Sequence, residues 1–188
     1  DVYKRQGQLV VVGVYGPYFR KTENPNPVLG SFSTISALDD GTKASQKASL
    51  INGFANEFAG SFVLFFGALA LTKNFFGAEL VGKLIEAGYD KAVATQQVAP
   101  YITGSLAVAH IAVGFLVMTL VASLGGPTGP ALNPARDLGP RLVHHFLPKS
   151  VLGQAKGDSK WWYSWVPVIA PIVAAIVAIA LFKFLYIK

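Results

Sequence analysis

The sixteen residues Gly126–Arg141 constrain this chain more than any other stretch. They hold four prolines, three glycines, two arginines and an aspartate, yet they lie between two long apolar segments. Asn133-Pro134 is a strong helix start: an asparagine side chain caps the first turn, and proline at the first helical position gives up no N–H that the helix needs. Ala135 to Phe146 is expected to stay helical until Pro148 ends the run. Roughly twelve residues make a helix of ~18 Å, too short to cross a hydrocarbon core of about 30 Å. An irregular stretch, Gly125 to Leu132, leads into it, and such backbone survives at membrane depth only when buried in protein or lining a watery cavity. The expectation is a pore-lining loop followed by a re-entrant half-helix.

The rest of the chain supplies the membrane context. Of 188 residues, 52% are hydrophobic and only 14% charged, too apolar for most soluble proteins of that size; with the helical spans that follow, the expectation is an all-α membrane protein in one domain, residues 1–188. Three full spans are expected, at Ala48–Thr72, Ala99–Leu124 and from the Trp161 region to about Leu185. Gly7–Phe19 is apolar but too short to cross, and reads as a partial helix. The polar residues before it, Asp1 to Gln6, fit no membrane pattern and read as foreign to it. Arg20–Lys47 is expected to be an aqueous loop, and Lys73–Val98 a connection with a short amphipathic helix at the membrane surface. Trp161, Trp162, Tyr163 and Trp165 are expected to form an interfacial aromatic belt, and Lys183 to snorkel. The net charge of +6 is scattered without a basic cluster, so nucleic acid is not an expected partner. Basic residues are spread so evenly over the three loops that charge does not set the orientation. With no cysteine there is no disulfide framework.

Four features inside the spans carry further expectations. Gly53, Gly60 and Gly67 recur every seven residues and let a neighbour approach one helix face closely. Glu57 is a carboxylate within a span, a costly placement that marks a functional position. His110 is expected to hydrogen-bond to a neighbouring helix. His144 and His145 could be imagined with Asp137 as an intramembrane enzyme, but adjacent histidines point about 100° apart on a helix and make a poor metal pair. No catalytic residue, metal or cofactor is expected.

Asn133-Pro134-Ala135-Arg136-Asp137, with Thr128-Gly129 before it and Leu138-Gly139-Pro140-Arg141 after it, resembles the second Asn-Pro-Ala motif of the aquaporin and glycerol-facilitator family. The resemblance implies an aquaporin-like helical bundle built from two inverted repeats. Only the partial helix, three full spans and the second half-helix are matched. The chain is therefore expected to be an N-terminally truncated piece of a full channel; the alternative is a non-conducting half-channel or membrane scaffold. By the same resemblance Asn133, Pro134, Ala135, Arg136, Asp137, Val121, Gly129, Pro130 and Ala131 belong to the pore and its selectivity filter. Glu57 accepts hydrogen bonds from the pore loop between Gly125 and Ala131, and Arg141 supports the loop by pairing with Asp137. Asp137, Arg141 and Pro167-Val168 are similar to the glycerol-conducting branch. Val121 and Pro130 depart from its usual pattern, which leaves the preferred solute open among glycerol, dihydroxyacetone, urea, peroxide, protonated small acids and water. The family further implies a multi-pass protein of the cell membrane, a homotetramer in the lipid bilayer, with the 73–98 connection and the C-terminus in the cytoplasm.

Overall fold

The computed structural model describes residues 2–73 and 75–186; Asp1, which opens the polar hexapeptide, and Lys188 lie outside the described residues. Within them the chain is an incomplete helical bundle: α1 (Val2–Lys21), α2 (Pro25–Gly30), α3 (Lys43–Thr72), α4 (Phe75–Glu86), α5 (Lys91–Thr128), α6 (Pro134–Phe146), α7 (Lys149–Leu152) and α8 (Val166–Tyr186). Three of these, α3, α5 and α8, are long and apolar enough to cross a membrane. The helix α6, with thirteen residues, is not.

The central packing unit is α3 against α8 and α5. Ala170, Ala174, Ala178 and Phe182 follow one another at i,i+4 and are all buried, a ridge of small residues closed by one ring. On α3 the three spaced glycines each receive a specific side chain. A Cβ on Gly53 would run into the Tyr163 hydroxyl, one on Gly60 would meet Leu132 and Leu124 at 2.7 and 2.9 Å, and one on Gly67 would meet Leu116 at 2.8 Å. Glycine costs a helix interior about 1 kcal/mol each relative to alanine, and here that cost is offset by what the vacant face admits. Gly53→Ala should lower stability by about 1–3 kcal/mol, the usual cost of overpacking, because Tyr163 is fully buried and has nowhere to retreat. Thermal denaturation in detergent tests this; an unchanged midpoint would mean that the tyrosine moves freely.

Several expectations are corrected. The span α5 begins at Lys91 rather than near Ala99, because Asp90 caps it (Ala92 N to Asp90 Oδ1, 2.8 Å) and because Ala94 and Val98 are buried in the region where α4 packs on α5. Proline at position 100 removes one backbone hydrogen bond without ending the helix. At its other end α5 runs through to Thr128. Gly129, at φ 60°, closes it by donating to the Gly125 carbonyl at 2.8 Å. The irregular backbone is thereby confined to 129–132. Residues 2–6 are helical and continuous with α1.

Tyr163 is not part of an exposed belt: it is buried between α3 and the turn before α8, while Trp161 and Trp165 remain partly exposed. His110 bonds the Leu106 carbonyl of its own helix at 2.6 Å rather than a neighbouring helix. The expected aqueous loop is the largest correction. Asn24 caps α2 through Asn26 N at 2.9 Å, and beyond α2 the side chains of Phe32, Ser33, Thr34, Ser36 and Asp39 are all buried. Phe32 joins Phe19, Val28, Leu152 and Ala155 in a small apolar core.

Candidate functional site

Asn133 sits in extended backbone (φ −158°, ψ 121°) and its Oδ1 accepts from Ala135 N at 2.9 Å, with Pro134 opening the helix. Because the cap uses the amide oxygen, the Nδ2 group is the one left to donate toward the neighbouring space. The first-turn N–H groups and the positive end of the helix dipole lie at the same point.

The four residues before Asn133 are held by α3. The Glu57 carboxylate is fully buried and accepts from Ala131 N at 2.7 Å through one oxygen and from Leu132 N at 2.9 Å through the other. The contact thus falls on the last residue of the expected range and on the one after it. Leu132 has φ 55°, a left-handed conformation that costs a branched residue of this size about 1–2 kcal/mol. It is held there from two sides, by Glu57 on its N–H and by Gly60, which makes room for its side chain. One residue before Glu57, Asn56 donates to Thr128 Oγ1 at 2.6 Å and to the Leu124 carbonyl at 3.2 Å, fixing the end of α5. Among the described residues the carbonyls of Gly129, Pro130 and Ala131 accept no hydrogen bond. They remain available as acceptors.

Pro130, Ala131 and Asn133 border a cleft of about 590 Å³. One side is Pro130, Ala131, Leu132, Asn133, Pro134 and Arg136; the other is apolar, with Leu64 and Phe65 from α3 and Val117 and Val121 from α5. Lys4 of α1, from the polar hexapeptide, also reaches it. Arg136 is half-buried, and its Nη1 is buried with no hydrogen-bond partner among the described residues. Three sequence-derived site residues are placed differently. Gly129 and Ala135 do not line the cleft. Asp137 is directed away from it, 0% exposed, because its carboxylate is taken up by a buried ion pair.

That pair is bidentate: Arg141 Nε to Asp137 Oδ1 at 2.7 Å and Nη2 to Oδ2 at 2.8 Å, with both side chains fully buried. An ion pair in such a place must have its remaining donors and acceptors met. Arg141 donates further to the carbonyls of Thr34 (2.7 Å), Ser159 (2.6 Å) and Lys160 (3.2 Å). Asp137 Oδ2 accepts from Thr34 N at 2.8 Å and Thr34 Oγ1 at 3.0 Å, and its carbonyl accepts from Ser33 Oγ at 3.2 Å. One turn on, His144 Nδ1 pairs with Ser159 Oγ at 2.8 Å. Lys160 carries its ammonium to Asn26 and Asp39. Ser33, Thr34 and Ser159 were not singled out in the sequence: they lie 15 to 107 residues from their partners, and a short polar residue in a loop carries no local sign of such a bond.

Residues 92–182 match the family described as major intrinsic protein. Over 189 aligned residues, covering 96% of this chain, it is 56% identical to a protein of Lactococcus lactis named glycerol facilitator-aquaporin, of whose length the match spans 65%. It is also similar to glycerol uptake facilitator protein-like 5 of Lactiplantibacillus plantarum, at 39% identity over 96% of this chain and 57% of that protein. The glycerol uptake facilitator protein of Bacillus subtilis is 36% identical over 89% of this chain and 46% of its own length. The chain thus spans somewhat under two thirds of the length of the relatives it matches.

Proposed function

We propose that this chain is a member of the major intrinsic protein family and forms one half of the wall of a membrane channel for passive diffusion of glycerol and similar small uncharged solutes, with water. The observation that carries the reading is the two-sided cleft. Unpaired carbonyls at Pro130 and Ala131 and the donors of Asn133 and Arg136 stand along one side, and apolar side chains along the other. A polyol has hydroxyls on one edge and C–H groups on the other, so it exchanges its water shell for that rail without exposing either edge to the wrong surface. The hydroxyl oxygens meet N–H donors at Asn133 and Arg136, and the hydroxyl protons meet the carbonyls. Dihydroxyacetone and urea carry the same combination of donors and acceptors.

The positive N-terminal end of α6 and the Arg136 guanidinium oppose entry of protons and other cations. Passage needs no covalent step, cofactor or metal. Four copies in the bilayer are the proposed assembly; α5 leaves Val108, Ile111, Phe115 and Met118 exposed, a surface suited to lipid or to a neighbouring copy. Proteoliposomes holding the complete channel should equilibrate in a glycerol or dihydroxyacetone gradient without carrying an electrical current. Permeability to water alone would overturn the solute assignment, and a measurable ionic current would overturn the barrier.

A further inference from the structure

The segment Ser33–Ala37 touches the pore loop on both sides of its functional run. Ala37 N donates to the Pro127 carbonyl at 2.8 Å, just before the irregular backbone. Thr34 and Ser33 hold Asp137 through three donated bonds, and the Thr34 carbonyl accepts from Arg141, just after it. Between these anchors lie the unpaired carbonyls, Asn133 and Arg136. Ser33, Thr34 and Ser36 are each no more than 1% exposed, so the bonds to Asp137 and Arg141 are shielded from water, while Ala37 at the end of the strap is exposed.

The Arg136 side chain makes no hydrogen bond among the described residues, and one of its terminal nitrogens is buried and unpaired. Its aim is therefore set by how α6 is rotated about its axis. The adjacent residue, Asp137, is the point where Thr34 fixes that rotation. We propose that Ser33–Ala37 is a positioning strap for the selectivity filter, in which the Thr34 hydroxyl holds Asp137 and thereby directs Arg136 into the cleft. This rests on the channel reading above. Thr34 touches no solute. Its effect is transmitted through Asp137, and a displacement of ~1 Å at a preorganised group is enough to loosen a site.

The test uses Thr34→Val in the complete channel. Valine keeps the shape, the backbone N–H to Asp137 and the carbonyl to Arg141, and removes only the hydroxyl donor. The permeability ratio of glycerol to a larger polyol, xylitol, should fall about fivefold, the factor carried by one buried hydrogen bond of ~1 kcal/mol. Thr34→Ser keeps the donor and should restore the wild-type ratio. Thermal stability is measured on the same preparations. A T34V channel that is less stable but retains the wild-type ratio would leave Thr34 a packing residue and end the proposal, as would T34S behaving like T34V. If T34V does not assemble, Ser33→Ala, which removes a single donation to the Asp137 carbonyl, gives the same readout: a shifted ratio supports the strap, and an unchanged one refutes it. A wild-type channel that passes no glycerol would instead defeat the channel reading on which the proposal stands.

Discussion

Glu57→Ala should abolish solute flux through the complete channel and markedly lower its thermal stability. The carboxylate accepts two backbone N–H groups at 2.7 and 2.9 Å in a fully buried position. Hydrogen bonds to charged groups contribute about 1.5–3 kcal/mol each, and a buried N–H left without a partner costs a comparable amount. Losing both is thus an effect of about 3–6 kcal/mol, at least about a fifth of the stability of a typical domain. The consequence is directional as well as large. Without an acceptor for its N–H, Leu132 has less reason to stay at φ 55°; relaxing it re-aims the chain immediately before Asn133, where the half-helix begins. Glu57→Gln is informative because it conserves shape. An amide offers one acceptor and one donor, and the donor would face a backbone N–H, so about half the loss is expected. Flux per folded channel and the thermal midpoint in detergent decide the matter. A Glu57→Ala channel with wild-type flux and midpoint would show that the loop is self-supporting.

The half-helix and its supporting carboxylate were legible in the sequence for clear reasons. Asn133-Pro134 is a local cap whose physics is contained in two residues, and a lone carboxylate in an apolar run is costly enough to demand a partner. Arg141 was legible as the i,i+4 partner of Asp137 because helical spacing alone places them together. What the sequence did not reveal was which polar residues are inside. Ser33 and Thr34 have the composition of an aqueous loop, but their hydroxyls and the Thr34 backbone meet partners roughly a hundred residues away, and no local periodicity encodes that. Tyr163 misled for the opposite reason. Its neighbours are interfacial tryptophans, and only the vacant face of Gly53, on another helix, explains why this ring turns inward.

The aim of Asp137 also depends on tertiary context. Its resemblance to the family motif implied a place in the pore, whereas the strap and Arg141 draw its side chain away from the cleft. Conversely, the span α5 was under-read at both ends because proline at 100 and Gly125-Gly126-Pro127 are strong breakers locally. Capping by Asp90, burial of Ala94 and Val98, and the Asn56 bond to Thr128 outweigh them.

Replacing Arg136 or Asp137 by alanine should give opposite outcomes, although the two residues are adjacent. Arg136 lines the cleft, is half-buried, and has no ion-pair partner among the described residues. Its removal leaves no buried charge behind, so Arg136→Ala should fold and assemble with a near-normal thermal midpoint. It deletes bulk and a positive charge from the cleft wall. Larger polyols should pass faster relative to glycerol, and the barrier to protons and cations should weaken without vanishing, since the positive end of α6 remains. Asp137→Ala does the reverse. It leaves the Arg141 guanidinium buried at 0% exposure without its carboxylate, and breaking such a pair costs about 3–5 kcal/mol. It also strands the Thr34 N–H and hydroxyl. The expected result is poor assembly and a strongly lowered midpoint, with altered selectivity only as a by-product of the damage. Solute and proton flux, each normalised to folded channel and measured for both variants side by side, separates the roles. Unchanged selectivity in a well-folded Arg136→Ala channel would remove the arginine from the filter. An Asp137→Ala channel as stable as wild type would mean that the buried pair does not hold the half-helix.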